Sequence, residues 1–317
     1  MGGRASHDRG NTMGIGRPFG ARWRNAVRLG VAASAELLWP PVCRWCGDPV
    51  GSRRDFCQPC SALLGVSEPQ MGIACVRCGM PPGPIVVGAP VTPAEPSSPE
   101  GDSQEANTQE AGNTQGAGSQ EAQQADVEAR LPCAACASLR FEFDGVFPLW
   151  AYQGRVCDVI VAAKQASRAS LADAIGRRLG RRVRGLASAT PSPDVVTYVP
   201  SHVTRQVMRG GIGVEPIAQA VAAALGVPCR PVLAVTRRIS KQAWLDDASR
   251  LANVRNAFAL KRGYDSVKHR GIKGRHVVVV DDVLTTGATA NEITRVLRAG
   301  GVGRVTFAIA ARAIRAR

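Results

Sequence analysis

The sequence is short of aromatic residues, which make up 5% of its 317 positions, although its composition is otherwise that of a soluble globular protein. It holds no uninterrupted apolar run of 18 residues, so no membrane span is expected. Two phosphate-binding signatures are missing: there is no G-x-x-x-x-G-K-[ST] and no G-x-G-x-x-G after a strand, so the P-loop and the dinucleotide fingerprint are excluded. Internal repeats are absent as well. So is an export signal: the stretch "AVRLGVAASAELLW" (26–39) is broken by Arg28 and Glu36 and runs straight into a cysteine cluster. It reads as an amphipathic helix packing on the next module. Residues 1–20 read as a flexible leader in which Met13 is an equally good start. Residues 1–38 are therefore leader and helix, and a cytoplasmic location is expected.

Acidic residues are scarce outside one segment. The formal charge is +15, yet residues 81–132 carry eight acids against the single base Arg130. The remainder holds 39 bases against 17 acids, a surplus of 22. A field of that sign favours phosphorylated small molecules or nucleic acid as partners, with a solvated basic surface as the plainer reading. The acidic segment is rich in Pro, Gly, Ser, Gln, Glu and Ala and has no apolar periodicity. It cannot bury enough apolar surface to offset its ordering entropy and is expected to be a disordered insertion.

Three regions follow: 1–38, a Cys-rich module over 39–139 interrupted by the insertion 81–132, and a domain over 140–317. In the last, "FDGVFPLWAYQ" (143–153) predicts one or two strands, and 157–184 predicts helices with Leu171, Ile175 and Leu179 on one face. A strand over 193–200, a helix over 215–226 stopped by Gly226 and Pro228, a strand from His276, a helix over 290–301 and a closing strand over 304–312 complete the pattern. Alternating strands and helices predict an α/β fold, a parallel sheet flanked by helices.

Eight of the ten cysteines form four C-x-x-C pairs: Cys43/Cys46, Cys57/Cys60, Cys75/Cys78 and Cys133/Cys136. Two thiolates on one tight turn can grip one side of a tetrahedral ion, and a second turn completes the site, so two structural zinc ions are the natural count. Gly47 and Gly79 follow the second Cys of two pairs, where the turn needs an unhindered backbone. Disulfides suit an exported chain, a redox motif would be a single pair, and iron–sulfur clusters use denser spacing. Pairing 43/46 with 57/60 and 75/78 with 133/136 is preferred over an interleaved arrangement, which the spacing leaves open. Cys157 and Cys229 read as small buried apolar residues.

The segment "HVVVVDDVLTTGATANEITRVL" (276–297) carries the chemistry. Its valines predict a strand buried on both faces, with Asp281 and Asp282 at the carboxyl end, the edge where open α/β sheets hold ligands. Two adjacent carboxylates there repel one another and call for donors or cations. In the loop that follows, Thr289 with Glu292 has the form of a capping box, and the backbone N–H groups of 285–289 can face an anion at the helix start. Carboxylates for hydroxyls beside amides for a phosphate suit a ribose 5-phosphate.

"VVVVDDVLTTGAT" resembles the phosphoribosyl pyrophosphate (PRPP) binding motif of type I phosphoribosyltransferases. Together with "WPPVCRWCG", "FDGVFPLWAYQG", "YVPSHVTRQVMRGG" and "RRISKQAWLDDASRLANVRNAF" it makes the chain similar to the ComF (competence protein F) family from about Trp39 to Arg312. The resemblance implies a type I phosphoribosyltransferase fold behind a double zinc ribbon. It implies Asp281 and Asp282 as catalytic acids on the ribose hydroxyls, and Thr285, Thr286, Gly287, Ala288 and Thr289 around the 5-phosphate. Val199 and Pro200, with Arg205 and Arg209, would approach the pyrophosphate. Lys241, with Arg237 and Arg238, would sit on a flap, and Lys164 matches a family lysine. Many members read Arg-Gly-Phe-Asn-Gln where this chain has "RGGIG" (209–213), so Ile212 and Gly213 replace polar groups. That departure bears on turnover and leaves the phosphate loop intact.

The implied function is a PRPP- and magnesium-binding transferase with an open acceptor, linked to DNA uptake and natural transformation. The alternative is a non-catalytic, PRPP-responsive factor binding single-stranded DNA. A purine or orotate salvage transferase is the weaker third reading, since such enzymes rarely carry Cys ribbons.

Overall fold

Valines 277–280 occupy the middle of a sheet because each has a partner on both sides and a packed layer on both faces. The computed structural model describes residues 40–51, 54–83, 133, 136, 140–186, 192–200, 211–237, 254–264 and 271–314. The expected leader and helix over 1–38 lie outside these residues, as does the acidic insertion from 84 to 132.

Four strands form one wholly parallel sheet: β1 (Gly145–Ala151), β2 (Val195–Tyr198), β5 (His276–Leu284) and β6 (Arg304–Arg312), in the order β1-β6-β5-β2. A short antiparallel pair, β3 (Leu233–Val235) and β4 (Phe258–Leu260), stands apart. Side chains alternate along a strand. Val278 and Val280 accordingly join a core with Leu171, Ile175, Leu179, Ile217 and Val221, while Val277 and Val279 join another with Ile293, Leu297, Phe258 and Phe307. The first core is contributed by α3 (Arg155–Ala163), α4 (Ala169–Leu186) and α5 (Glu215–Leu225), the second by α6 (Ala288–Ala299) and the β3–β4 pair. The parallel sheet with helices on both faces agrees with the reading from sequence.

Details differ from expectation. The stretch 157–184 breaks into α3 and α4 around a 3-10 turn at Ala166–Arg168. Neither Cys157 nor Cys229 is buried outright: both are part-exposed. Burial pushes both thiols upward, Cys229 to about 11.

The Cys-rich module packs directly on the sheet domain. Its helix α1 (Gln58–Gly65) lies by α3 and its helix α2 (Glu68–Gly72) by β1, with Arg178 and Arg182 of α4 bonded to Ser61 and to the Met71 carbonyl. Glu68 receives Trp150 Nε1 at 2.7 Å and Arg178 Nε at 2.6 Å, and the Arg178 guanidinium lies over both Phe56 and Trp150. Charge-assisted hydrogen bonds and cation–π contacts of this kind fix a relative orientation as well as adding energy. Among the described residues, no helix is long and apolar enough to cross a membrane.

Candidate functional site

The carboxyl edge of the sheet is set by unequal strand lengths. β2 leaves the ladder after Tyr198, which pairs with Val280, and Val199 N–H makes a last bond to the Val280 carbonyl at 3.0 Å. β5 runs on to Leu284, paired only with β6. Asp281 and Asp282 therefore lie within the strand, short of its end, in the part that β2 leaves uncovered. Val199 and Pro200 stand half-buried beside that opening.

The two carboxylates are not the repelling pair anticipated. Alternation turns neighbouring strand residues to opposite faces. Asp281 accepts the Asp282 N–H at 2.9 Å, and Asp282 is ion-paired with the ammonium of Lys164, the residue that ends α3. The Lys164 carbonyl accepts Ile212 N–H at 3.1 Å, so the departing "RGGIG" segment is attached to this same lysine. Tyr152 borders the cluster, and burial raises its hydroxyl, with Cys157 and Asp282 adding to the effect and Lys164 opposing it.

Past Leu284 the loop turns into α6. Its cap is Gly287, at φ +87°, and no side chain caps the helix. The expected capping box is thus absent. Thr289 sits inside the first turn, and Glu292 is buried, accepting Asn256 N–H at 2.8 Å and paired with Arg295. A tertiary partner has taken the carboxylate that a local motif would have used. Gly287 is doubly required: its φ suits glycine, and a Cβ there would lie 3.0 Å from the Phe141 ring. One of the five loop amides is engaged internally, Ala288 N–H on the Thr286 hydroxyl at 3.3 Å. First-turn N–H groups have no carbonyl one turn back to accept them, which leaves this helix start suited to an anion. Thr285 is exposed, Thr286 and Thr289 half-buried, Gly287 and Ala288 buried.

Of the basic residues expected here, Lys164 is at the site and Arg237 holds the Arg255 carbonyl at 2.6 Å on the surface. Arg205, Arg209, Arg238 and Lys241 lie outside the described residues.

The eight paired cysteines form two groups, Cys43/Cys46/Cys57/Cys60 and Cys75/Cys78/Cys133/Cys136, each with its sulfurs within 4.8 Å of one another. This is the sequential grouping. A tetrahedral ion with bonds of about 2.3 Å requires sulfurs about 3.8 Å apart. Cys46 and Cys57 stand at 3.6 Å, Cys75 and Cys136 at 3.8 Å, Cys78 and Cys133 at 3.4 Å, and Cys133 and Cys136 at 3.7 Å. Both C-x-x-C-G turns close alike, Gly47 N–H on the Cys43 carbonyl and Gly79 N–H on the Cys75 carbonyl, with φ +87° and +72°. Each group favours one thiolate and resists the next. A hydrogen bond from Cys78 holds Cys75 at about 4 against its burial, while the Cys75 thiolate and burial drive Cys78 upward. Burial raises Cys136 to about 11. In the first group burial is outweighed at Cys43 by the N–H groups of Cys46, Cys57 and Trp45, which hold it at about 6, while burial and its neighbours raise Cys60. Crowded sulfurs of this kind need a cation before all four ionise. The donor sets fit zinc.

Sequence reasoning did not find Arg312 or Phe141. Arg312 is 7% exposed at the end of β6 and donates Nε to the Cys78 carbonyl at 2.8 Å and Nη1 to the Leu284 carbonyl at 2.9 Å. An arginine closing a strand carries no signal of that role.

Residues 207–317 match the family model described as the phosphoribosyl transferase domain. The chain is 28% identical over 186 residues to the DNA utilization protein YhgH of Escherichia coli K12, covering 56% of this chain and 76% of that protein. It is 32% identical over 114 residues to Competence protein F of Haemophilus influenzae, covering 36% of this chain and 48% of that one. Among solved structures it is similar to the glutamine PRPP amidotransferase of B. subtilis, at 25% identity and a TM-score of 0.31, over 49% of this chain and 30% of that one. The chain therefore carries a phosphoribosyltransferase-type domain and, with two four-cysteine groups ahead of the sheet, is similar to the DNA utilization protein and Competence protein F.

Proposed function

We propose that the carboxyl edge of β5 binds PRPP with magnesium and that the protein is a phosphoribosyltransferase acting in DNA uptake or DNA use. The observation that carries this is the juxtaposition, in the gap left by β2, of the Asp281 and Asp282 carboxylates with the helix start at 287–289. The acids suit the ribose hydroxyls, and Thr285, Thr286, Gly287, Ala288 and Thr289 suit the 5-phosphate. Val199 and Pro200 border the place for pyrophosphate, with Arg205, Arg209 and Lys241 as its further cations. The names of the relatives, DNA utilization protein and Competence protein F, support the DNA link.

In the reaction a nitrogen nucleophile forms a bond to the anomeric carbon as the bond to pyrophosphate breaks. Pyrophosphate leaves with the electron pair, and the nitrogen's proton passes to solvent or to the leaving group. The protein's share is positioning and charge neutralisation. Magnesium supplies charge neutralisation on the pyrophosphate when bound. The cysteine groups hold zinc as structural sites, with four ligands and no open position.

The surplus of 22 positive charges outside the acidic segment, together with Ile212 and Gly213 in place of polar groups, favours a second reading. There the protein binds PRPP without turnover and uses its basic surface on single-stranded DNA. Calorimetric titration with PRPP, with and without magnesium, tests the shared element. Changing both Asp281 and Asp282 to Asn should abolish magnesium-dependent binding, and an unchanged affinity would remove the site. Pyrophosphate release with candidate bases separates the two readings. Its absence beside tight, salt-sensitive DNA binding selects the second.

A further inference from the structure

We propose that the second cysteine group is a metal-dependent brace for the phosphate loop, with Arg312 as the positioning residue that joins them. This rests on reading 285–289 as that loop. The group meets the loop by two separate struts. The Cys75/Cys78 half is reached through Arg312, whose guanidinium donates to the Cys78 carbonyl at 2.8 Å and also to the carbonyls of Leu284, Thr285 and Ala313. Leu284 and Thr285 are the residues that lead into the turn. One buried planar group thus spans a metal-site turn and the entrance of the loop, a geometry available to the fork of arginine and unavailable to the point charge of lysine.

The group meets the loop a second time through Phe141. Phe141 packs against the buried sulfurs of this group and lies 3.0 Å from a Cβ placed on Gly287. Phe143 backs it at 5.0 Å between ring centroids, and Phe307 backs Phe143 at 5.3 Å. Asn291, in the first turns of α6, clasps the same segment, accepting Glu142 N–H at 3.0 Å and donating to the Arg140 carbonyl at 3.3 Å.

The two halves lie 55 residues apart in the chain and meet at sulfurs 3.4 Å apart. A dication gripping all four sulfurs fixes the separation of the struts. Without it sulfur–sulfur hydrogen bonds join the two halves, Arg312 and Phe141 are held less firmly at a set spacing, and the turn between them loosens. Among the described residues the first group has no such strut. Its contacts go to the 3-10 turn, through Arg168 on the Trp45 carbonyl, and to α4, through Arg177 on Asp55. Zinc at the second group therefore controls ligand affinity, whereas zinc at the first controls docking of the module.

The test is amide hydrogen exchange on the full, zinc-loaded chain, read over 285–290, for the natural protein and for Arg312→Lys, Cys133→Ser and Cys46→Ser. In Arg312→Lys these amides should exchange about tenfold faster while β5 and β6 stay protected and zinc remains at two per chain. Magnesium-PRPP affinity should fall about tenfold with no matching loss of melting temperature. Cys133→Ser should accelerate the same amides, and Cys46→Ser should leave them unchanged. Unchanged loop exchange in Arg312→Lys overturns the proposal, as does equal acceleration by the two cysteine variants. If Cys133→Ser does not fold, Arg312→Lys decides alone. Should the natural protein fail to bind PRPP while loop exchange still follows Arg312, the ligand assignment falls and the brace stands. Should PRPP bind and the loop ignore Arg312, the brace falls and the ligand stands.

Discussion

The ammonium of Lys164, at the end of α3, is ion-paired with the Asp282 carboxylate on β5. Without ligand, a cation of the protein holds one of the two acids assigned to the sugar. Lys164→Gln removes that competitor and leaves the Asp282 carboxylate without its ammonium, which favours an added cation. The variant should bind magnesium in the absence of PRPP about five- to tenfold more tightly, roughly 1 kcal/mol for a partly exposed pair. Magnesium titration by calorimetry checks this, and equal affinities would show that Lys164 does not compete.

The two cysteine groups predict metal content. Reduced protein prepared without chelator should carry two zinc ions per chain by elemental analysis, one for each group. Because thiolates must shed their protons to ligate, acidification should release metal with uptake of protons. A content near zero would refute both sites.

Gly287→Ala meets two penalties, a left-handed φ of +87° and a Cβ 3.0 Å from Phe141. A loss of about 1–3 kcal/mol in stability is expected. Adding Phe141→Leu should recover the steric part and leave the backbone part. Chemical denaturation of the single and double variants measures both, and full recovery would show that the conformation costs nothing.

Glu292 supplies a pH signature. Hydrogen bonds from Arg295, with help from Asn256 N–H and against its burial, hold its carboxyl below the ordinary 4.5. A depressed folded value means that the contribution to stability is complete above the unfolded value and fades as pH falls through the folded one. Glu292→Gln should therefore cost about 1–2 kcal/mol at neutral pH, with the difference shrinking below about pH 4.5. Urea denaturation at both pH values measures it, and a constant difference would assign the loss to packing.

Periodicity and spacing revealed whatever depends on near neighbours in the chain. The valine run marked a strand buried on both faces, and repeated C-x-x-C spacing marked the ligand turns. The helix start was misread because Thr289 and Glu292 satisfy a local motif, while the folded chain brings Asn256 and Arg295 to the carboxylate and leaves Gly287 as the cap. Lys164 lay 118 positions from its partner Asp282, a distance over which a single sequence gives no register. Arg312 was the least visible, since its recorded acceptors include backbone carbonyls, and every residue has one of those.

Cys78 and Cys133 end a long excursion of the chain at nearly one point, 3.4 Å apart. An ion joining these sulfurs would tie the two cysteines to each other independently of the chain between them. A nick within 84–132 would give two fragments on a denaturing gel and a single particle in native mass analysis. Stripping the ion would then remove one of the bonds that keep those fragments together and leave the contacts of Glu68 with Arg178 and of Asp55 with Arg177.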